Sequence, residues 1–293
     1  HAMEVRLYAE DPAQGFLPQT GDVLRWEPAP GVRIDHGLRE GQTISPFYDP
    51  MLGKIIAHGA NREEARRKLL RAVEDTVLLG VATNQRLLVD LLKNPDFIAG
   101  DFSTGLIAEH FSVIPQHTAS AEQLSLAAAL FYQHSANQHS HPLARWRNTA
   151  SAPVTYRLEV NGQVHSVSVD DLPLTTDGRH ATLVIKGVRR RIAYHLDGNR
   201  LWLPGLTVTD RTQQVASRPA DASSGTVQAP MDGAIVDVRV CVGESVSKGQ
   251  LLLVLEAMKM EHPLKAGIDG TVKELRVVTG DQVRNRQVLL EIE

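Results

Sequence analysis

Three styles of apolar–polar patterning follow one another along this chain, and each predicts a different architecture. In residues 1–112 the helical period is clearest after Asn61, where Ala65, Leu69, Ala72, Val73 and Val77 share one face. Asn61 is placed to cap a helix running through Leu79, Glu63/Arg67 and Glu64/Lys68 are favourable i,i+4 pairs, and Gly80 supplies a stop. A second helix is predicted from near Thr83, burying Leu87, Leu88, Leu91 and Leu92 and ending before Pro95. Pro12, Pro18, Pro28, Pro30, Pro46 and Pro50 cut the first half of this segment into loops and short strands.

The pattern changes in residues 113–212. One strongly apolar helix is predicted from Ala121 to about His134, through Leu124, Leu126, Ala128 and Leu130. A polar stretch from Gln138 to Asn148, containing Trp146, separates it from sequence that alternates with period two. Tyr156, Leu158 and Val160 lead into Asn161-Gly162, a hairpin turn, and Asp177-Gly178 and Asp197-Gly198 repeat the device. Short strands at regular turns predict an antiparallel β-barrel, with the preceding helix filling its middle. Residues 213–228 are rich in Ser, Ala and Pro without an apolar period and read as a linker. Its typical reach is on the order of 20 Å.

The last stretch, 229–293, contains an internal repeat. A shift of 37 residues lays Asp232 on Asp269, and ten of the 25 positions from 232 to 256 then meet an identical residue. A unit of this size cannot bury its apolar face alone, so two copies are expected to close on each other as a small, flattened all-β barrel with quasi-twofold symmetry. Ala257 to Pro263 join the copies, which places Lys259 at the tip of a protruding hairpin. As an isolated hexapeptide, Glu256 to Glu261 would be good helix-forming sequence with a solvated lysine. At the midpoint of a repeat it reads as a presented amine.

Composition changes the picture only by exclusion. With 293 residues, 42% hydrophobic and 22% charged, the chain suits two or three globular domains. A net charge of −3 gives no electrostatic case for binding nucleic acid or an anionic membrane. No apolar run approaches the roughly 20 residues that span a bilayer. The single cysteine, Cys241, allows no internal disulfide, fits a reducing cytoplasm, and is expected to be buried among Val238, Val240 and Val242. His134, His139 and His141 cluster without a carboxylate or cysteine to complete a metal site, and Arg189-Arg190-Arg191 reads as a solvated face. The opening His1-Ala2-Met3-Glu4 is neither a signal nor a transit peptide, and strand-like sequence begins at once; the chain is expected to be the C-terminal portion of something longer.

Glu256-Ala257-Met258-Lys259-Met260 resembles the biotinyl-domain motif of biotin carboxyl carriers, and Ala229-Pro230-Met231-Asp232-Gly233 resembles the strand that opens those domains. Lipoyl domains share the architecture but usually present Asp-Lys-Ala, so the methionine flanks favour biotin on Lys259. The first segment resembles the end of biotin carboxylases, from HAMEVRLYAEDP through Phe16-Leu17-Pro18 and Ser45 to Met51 to Gly80-Val81-Ala82-Thr83-Asn84. That resemblance implies an α+β C-terminal piece of an ATP-grasp fold. It puts Arg6 on the family's active-site arginine beside bicarbonate and the biotin ureido group. The family's glycine-rich phosphate loop, nucleotide-binding lysines and metal-binding strand do not occur in this sequence, so ATP, Mg and bicarbonate are expected to serve only the full-length enzyme.

The order of segments resembles the α subunit of acyl-CoA carboxylases, with the 3-methylcrotonyl/geranyl-CoA branch nearer than the propionyl-CoA one. The resemblance implies docking of the middle segment, through the helix from Ala121 and a hook at Trp146, onto a carboxyltransferase β subunit in a large αβ hetero-oligomer. It also implies modification by a biotin protein ligase. A non-catalytic biotin carrier or scaffold is the reading from another class.

Overall fold

The computed structural model describes residues 1–138, 154–169, 173–213, 225–258 and 260–293. In the first segment Met51–His58 is the central strand of an antiparallel sheet, flanked by Ala2–Tyr8 and Arg33–His36. Ile55 and Ala57 on its inner face meet Leu69, Ala72 and Val73 of the helix Arg62–Asp75 and Leu92 of the helix Gln85–Lys93. The Asn61 side chain accepts the Glu64 N–H at 2.9 Å, and both foreseen ion pairs form, Glu63–Arg67 at 3.6 Å and Glu64–Lys68 at 2.7 Å.

The first helix ends at Asp75 rather than Leu79. β-Branched Thr76 leaves the helix in extended conformation while its N–H and Oγ1 both donate to the Ala72 carbonyl. Val77–Leu79 then pairs as a strand with Arg25–Glu27. Gly80 stops that strand, at φ 103 and so close to the neighbouring chain that a Cβ would lie 2.0 Å from the Asp22 carbonyl oxygen.

In the middle segment the helix Ala121–Gln138 runs past His134. All of Leu126 to Phe131 are buried, which means that the helix is covered on every side. Leu158, Val160, Leu201 and Val208 of a five-stranded sheet pack on it, together with Ala181 and Leu183 of a three-stranded one. Among the described residues, hydrogen bonding makes two antiparallel sheets that wrap the helix from both sides. Asn161 and Gly162 take φ 49 and 78, joining Val160 to its partner Gln163 in the predicted turn. Trp146, His139, His141 and most of the polar stretch lie outside the described residues.

Arg25 joins the first two segments. It is 9% exposed, with Nε donating to the Tyr194 carbonyl at 3.3 Å and Nη2 to that of Gly178 at 3.1 Å. Around it Arg179 bridges Glu27 and Glu40, and His180 meets Glu27 at 2.9 Å.

The last domain consists of two four-stranded sheets whose orders repeat each other. One runs Thr226–Gln228, Val288–Ile292, Gly270–Leu275, Ser245–Val246; the other runs Met260–Lys265, Leu251–Ala257, Gly233–Val238, Gln282–Val283. The 37-residue shift that aligns the sequence halves exchanges the two sheets strand for strand. Even the bulges correspond, between Ile235 and Asp237 in one and between Val272 and Glu274 in the other. Thr226–Gln228, read from sequence as linker, is an edge strand paired with Val288–Ile292. Cys241 is exposed, not buried. The strand stops at Val238, and the Glu244 carboxylate takes the Cys241 N–H at 2.9 Å in a turn, which ends the alternation that had suggested burial.

Candidate functional site

Leu251–Ala257 and Met260–Lys265 form the hairpin at the centre of the repeat, paired out to Ala257 opposite Met260. Leu255 and Ala257 face the core while Glu256 points outward, opposite Glu261. Ala229 and Met231 are buried beneath it. Gly233 lets the two strands approach closely, because a Cβ there would lie 2.5 Å from the Glu256 carbonyl oxygen. Met258 closes the hairpin at φ 50, the left-handed region that two-residue connections require. Lys259, the residue predicted to be modified, lies outside the described residues. His262, opposite Leu255, has a buried Nε2 with no hydrogen-bond partner among the described residues, and burial pushes its pKa down, favouring the neutral ring.

The two methionines differ. Met260 is half-buried, whereas Met258 is 3% exposed and is buried against the first segment, in a cluster with Leu7, Val23, Leu38, Ile44, Leu52 and Val81. Its N–H donates to the Pro46 carbonyl at 2.7 Å. Two further contacts accompany it: Thr20 Oγ1 donates to Asp232 Oδ2 at 3.1 Å, and Leu17 packs on the core of the last domain. Nothing in the sequence pattern pointed to Pro46, Thr20 or Leu17 as partners of the hairpin, since contacts between separately folded units leave no periodicity.

Arg6 stands on the strand Ala2–Tyr8 with an exposed guanidinium, 3.6 Å from Glu4. Hydrogen bonding and attraction to Tyr8, and then to Glu4, raise its pKa, so it is a fixed cation. Leu7, on the other face of the strand, belongs to the cluster that receives Met258. Buried Asn84 fixes the strand at this point: its Oδ1 accepts the Tyr8 N–H at 3.0 Å, and its Nδ2 donates to the Arg6 carbonyl at 3.2 Å. Sequence had read Asn84 only as the last residue of a motif.

Comparison with known proteins places family descriptions on both ends of the chain. Residues 4–109 match the model of the biotin carboxylase C-terminal domain, and residues 225–292 match that of the biotin-requiring enzyme domain. The chain therefore joins a biotin carboxylase C-terminal domain to a biotin-requiring enzyme domain, and the pair implies covalent biotin.

Its relatives are more particular. The chain is 30% identical to the methylcrotonoyl-CoA carboxylase subunit alpha of Dictyostelium discoideum, over 91% of this chain and 45% of that protein. It is 31% identical to the propionyl-CoA carboxylase alpha chain of Caenorhabditis elegans, over 91% and 44%. It thus spans somewhat less than half the length of these relatives. Among solved structures, the biotin carboxylase subunit of a pyruvate carboxylase is 34% identical over 40% of this chain and 26% of its own, with a TM-score of 0.39.

Proposed function

We propose that this chain is part of the biotin-bearing α subunit of an acyl-CoA carboxylase, with biotin attached at Lys259. The observation that carries the reading is the hairpin at the midpoint of a repeat whose halves correspond strand for strand, within a biotin-requiring enzyme domain. A carrier amine needs a rigid protruding turn on a domain small enough to travel. Glu256, Ala257, Met258 and Met260 are the neighbours of Lys259 that a biotin protein ligase would read, Met258 once it has left the first segment. Biotin, when attached, supplies a ureido nitrogen that carries a carboxyl group from one site to another.

Arg6 has the role of a permanent cation on the carboxylating side, where its exposed guanidinium can hold an anion such as bicarbonate. ATP and Mg are used by the same subunit in its full length. The middle segment docks the subunit onto a carboxyltransferase β subunit, which takes the carboxyl group to the acyl-CoA. Relatives of the methylcrotonoyl and propionyl types stand at nearly equal identity, so the acyl-CoA is read as 3-methylcrotonyl-, geranyl- or propionyl-CoA, with the choice resting on the β subunit.

Co-expression with a biotin ligase tests the reading through intact mass and avidin binding. One biotin adduct, lost in Lys259→Arg, is expected. A folded chain that acquires no adduct overturns it.

A further inference from the structure

We infer that the tip of the carrier hairpin has a built seat on the biotin carboxylase segment, into which Met258 plugs, and that the seat holds without biotin. The inference rests on the reading of the hairpin as a carrier and adds where the carrier rests and which side chain holds it.

Four observations converge on the seat. Met258 is 3% exposed although it sits at the very turn of a protruding hairpin, where a side chain ordinarily meets solvent. What covers it comes from the other segment: Leu7 of the strand bearing Arg6, with Leu38, Ile44 and Leu52. A flexible thioether suits such a socket, because it fills irregular apolar space at little strain. The second observation is the main-chain bond from Met258 N–H to the Pro46 carbonyl, 2.7 Å long, which fixes the depth of insertion.

The third is the pair of flanking contacts, Thr20 to Asp232 and Leu17 on the apolar core of the biotinyl domain, which fix its rotation. The fourth is the asymmetry of the methionines. They flank one lysine, yet only Met258 enters the socket, so they do different jobs: Met258 is a positioning residue for the carrier, and Met260 is not. The contacts named are made by Met258, Asp232 and the core of the biotinyl domain, so the seat is built from residues other than the modified one. Beside the seat, Phe47 and Tyr48 are 67% and 77% exposed, so the loop that offers the Pro46 carbonyl keeps an open aromatic face next to the tip.

The test uses the full chain carrying Lys259→Arg, which cannot take biotin, with its methionine methyl groups labelled with carbon-13 for NMR. The five methionines, Met3, Met51, Met231, Met258 and Met260, are assigned by single substitutions. Expected is a broadened, buried-type resonance for Met258 and a more mobile one for Met260. Leu17→Ser with Thr20→Val, both outside the hairpin, should move the Met258 methyl to the free-methionine position and speed exchange of its amide by about tenfold or more. The Met3, Met51, Met231 and Met260 methyl resonances should stay where they were and thereby report an intact fold. A Met258 methyl that is mobile in the parent chain, or one that the double variant leaves unmoved, overturns the seat. A seated Met258 in a chain that no ligase modifies would overturn the carrier reading and leave the seat standing.

Discussion

Asp232 and Asp269 hold matching posts in the two halves of the biotinyl domain: each accepts a backbone N–H from the other half, Asn285 and Lys248 respectively, both at 2.7 Å. The twofold relation therefore reaches the level of single hydrogen bonds. Each aspartate replaced by alanine should cost about 1 kcal/mol of domain stability, read from hydrogen exchange in Leu251–Ala257. Their effects on the rest of the chain should differ. Asp232 also receives Thr20, so Asp232→Ala should loosen the contact with the carboxylase segment. Asp269→Ala should leave that contact intact.

Gly233 and Gly270 are a second pair of mates. A Cβ would lie 2.5 Å from the Glu256 carbonyl oxygen at the first and 2.4 Å from that of Glu293 at the second. Backbone cannot yield as a side-chain end does, so either alanine should cost about 1–3 kcal/mol by overpacking. Gly233 backs the hairpin strand itself. Gly233→Ala should therefore slow biotinylation more than Gly270→Ala does at equal loss of stability, as timed by avidin shift.

Sequence revealed those parts of the fold in which one segment folds on itself. The repeat predicted two matching halves because identical residues at Asp232/Asp269 and Gly233/Gly270 serve identical local bonds. Asn61 and Asn161-Gly162 announced a cap and a turn because their side chains and φ angles act within a few residues. Where two influences competed, the local reading failed. Val77 fits the helical stripe of Ala65 to Val73, but pairing of Val77–Leu79 with Arg25–Glu27 outweighed it. Cys241 fitted a strand, but a side-chain cap from Glu244 turned the chain. The parts of the site formed between segments, Met258 with Pro46 and Asn84 with Arg6, were invisible because long-range contacts carry no spacing rule.

Glu10 should make stability depend on pH in an unusual direction. Burial, and then repulsion from Asp49, raise its pKa above the ordinary glutamate value, so the fold favours the protonated acid. Its contribution is then complete below the ordinary glutamate pKa and is lost as pH rises through the folded value. Glu10→Gln, a fixed mimic of the neutral form, should raise the melting temperature near neutral pH and leave it unchanged at about pH 3. Equal gains at both pH values would mean that charge is not the cause.

Arg25 is a buried cation satisfied mainly by main-chain carbonyls of Tyr194 and Gly178 across the boundary between the first two segments. Arg25→Ala removes charge-assisted bonds and leaves both carbonyls short of a donor, which should cost about 2 kcal/mol. Arg25→Lys should recover little, because one ammonium cannot reproduce the spread of a guanidinium. Limited proteolysis at the boundary should distinguish a loosened junction from general unfolding, with new cleavage near residues 113–120 and the biotinyl domain still intact.

Arg6 and Asn84 should separate chemistry from architecture. The Arg6 guanidinium is exposed and its ion pair with Glu4 is long, so Arg6→Ala should leave the melting temperature almost unchanged. In the full-length α subunit the same substitution should abolish biotin-dependent carboxylation while Lys259 is still biotinylated. Asn84→Ala strips the buried bonds to Tyr8 N–H and the Arg6 carbonyl and should cost about 2 kcal/mol. Because Asn84 bonds the strand and not the guanidinium, its loss should slow carboxylation, on the proposed role of Arg6, through misplacement of that side chain. Asn84→Asp keeps the acceptor for the Tyr8 N–H and should restore part of the rate, a recovery that no substitution of Arg6 short of another fixed cation could give. An Arg6→Ala subunit that still carboxylates biotin would remove Arg6 from the reaction altogether.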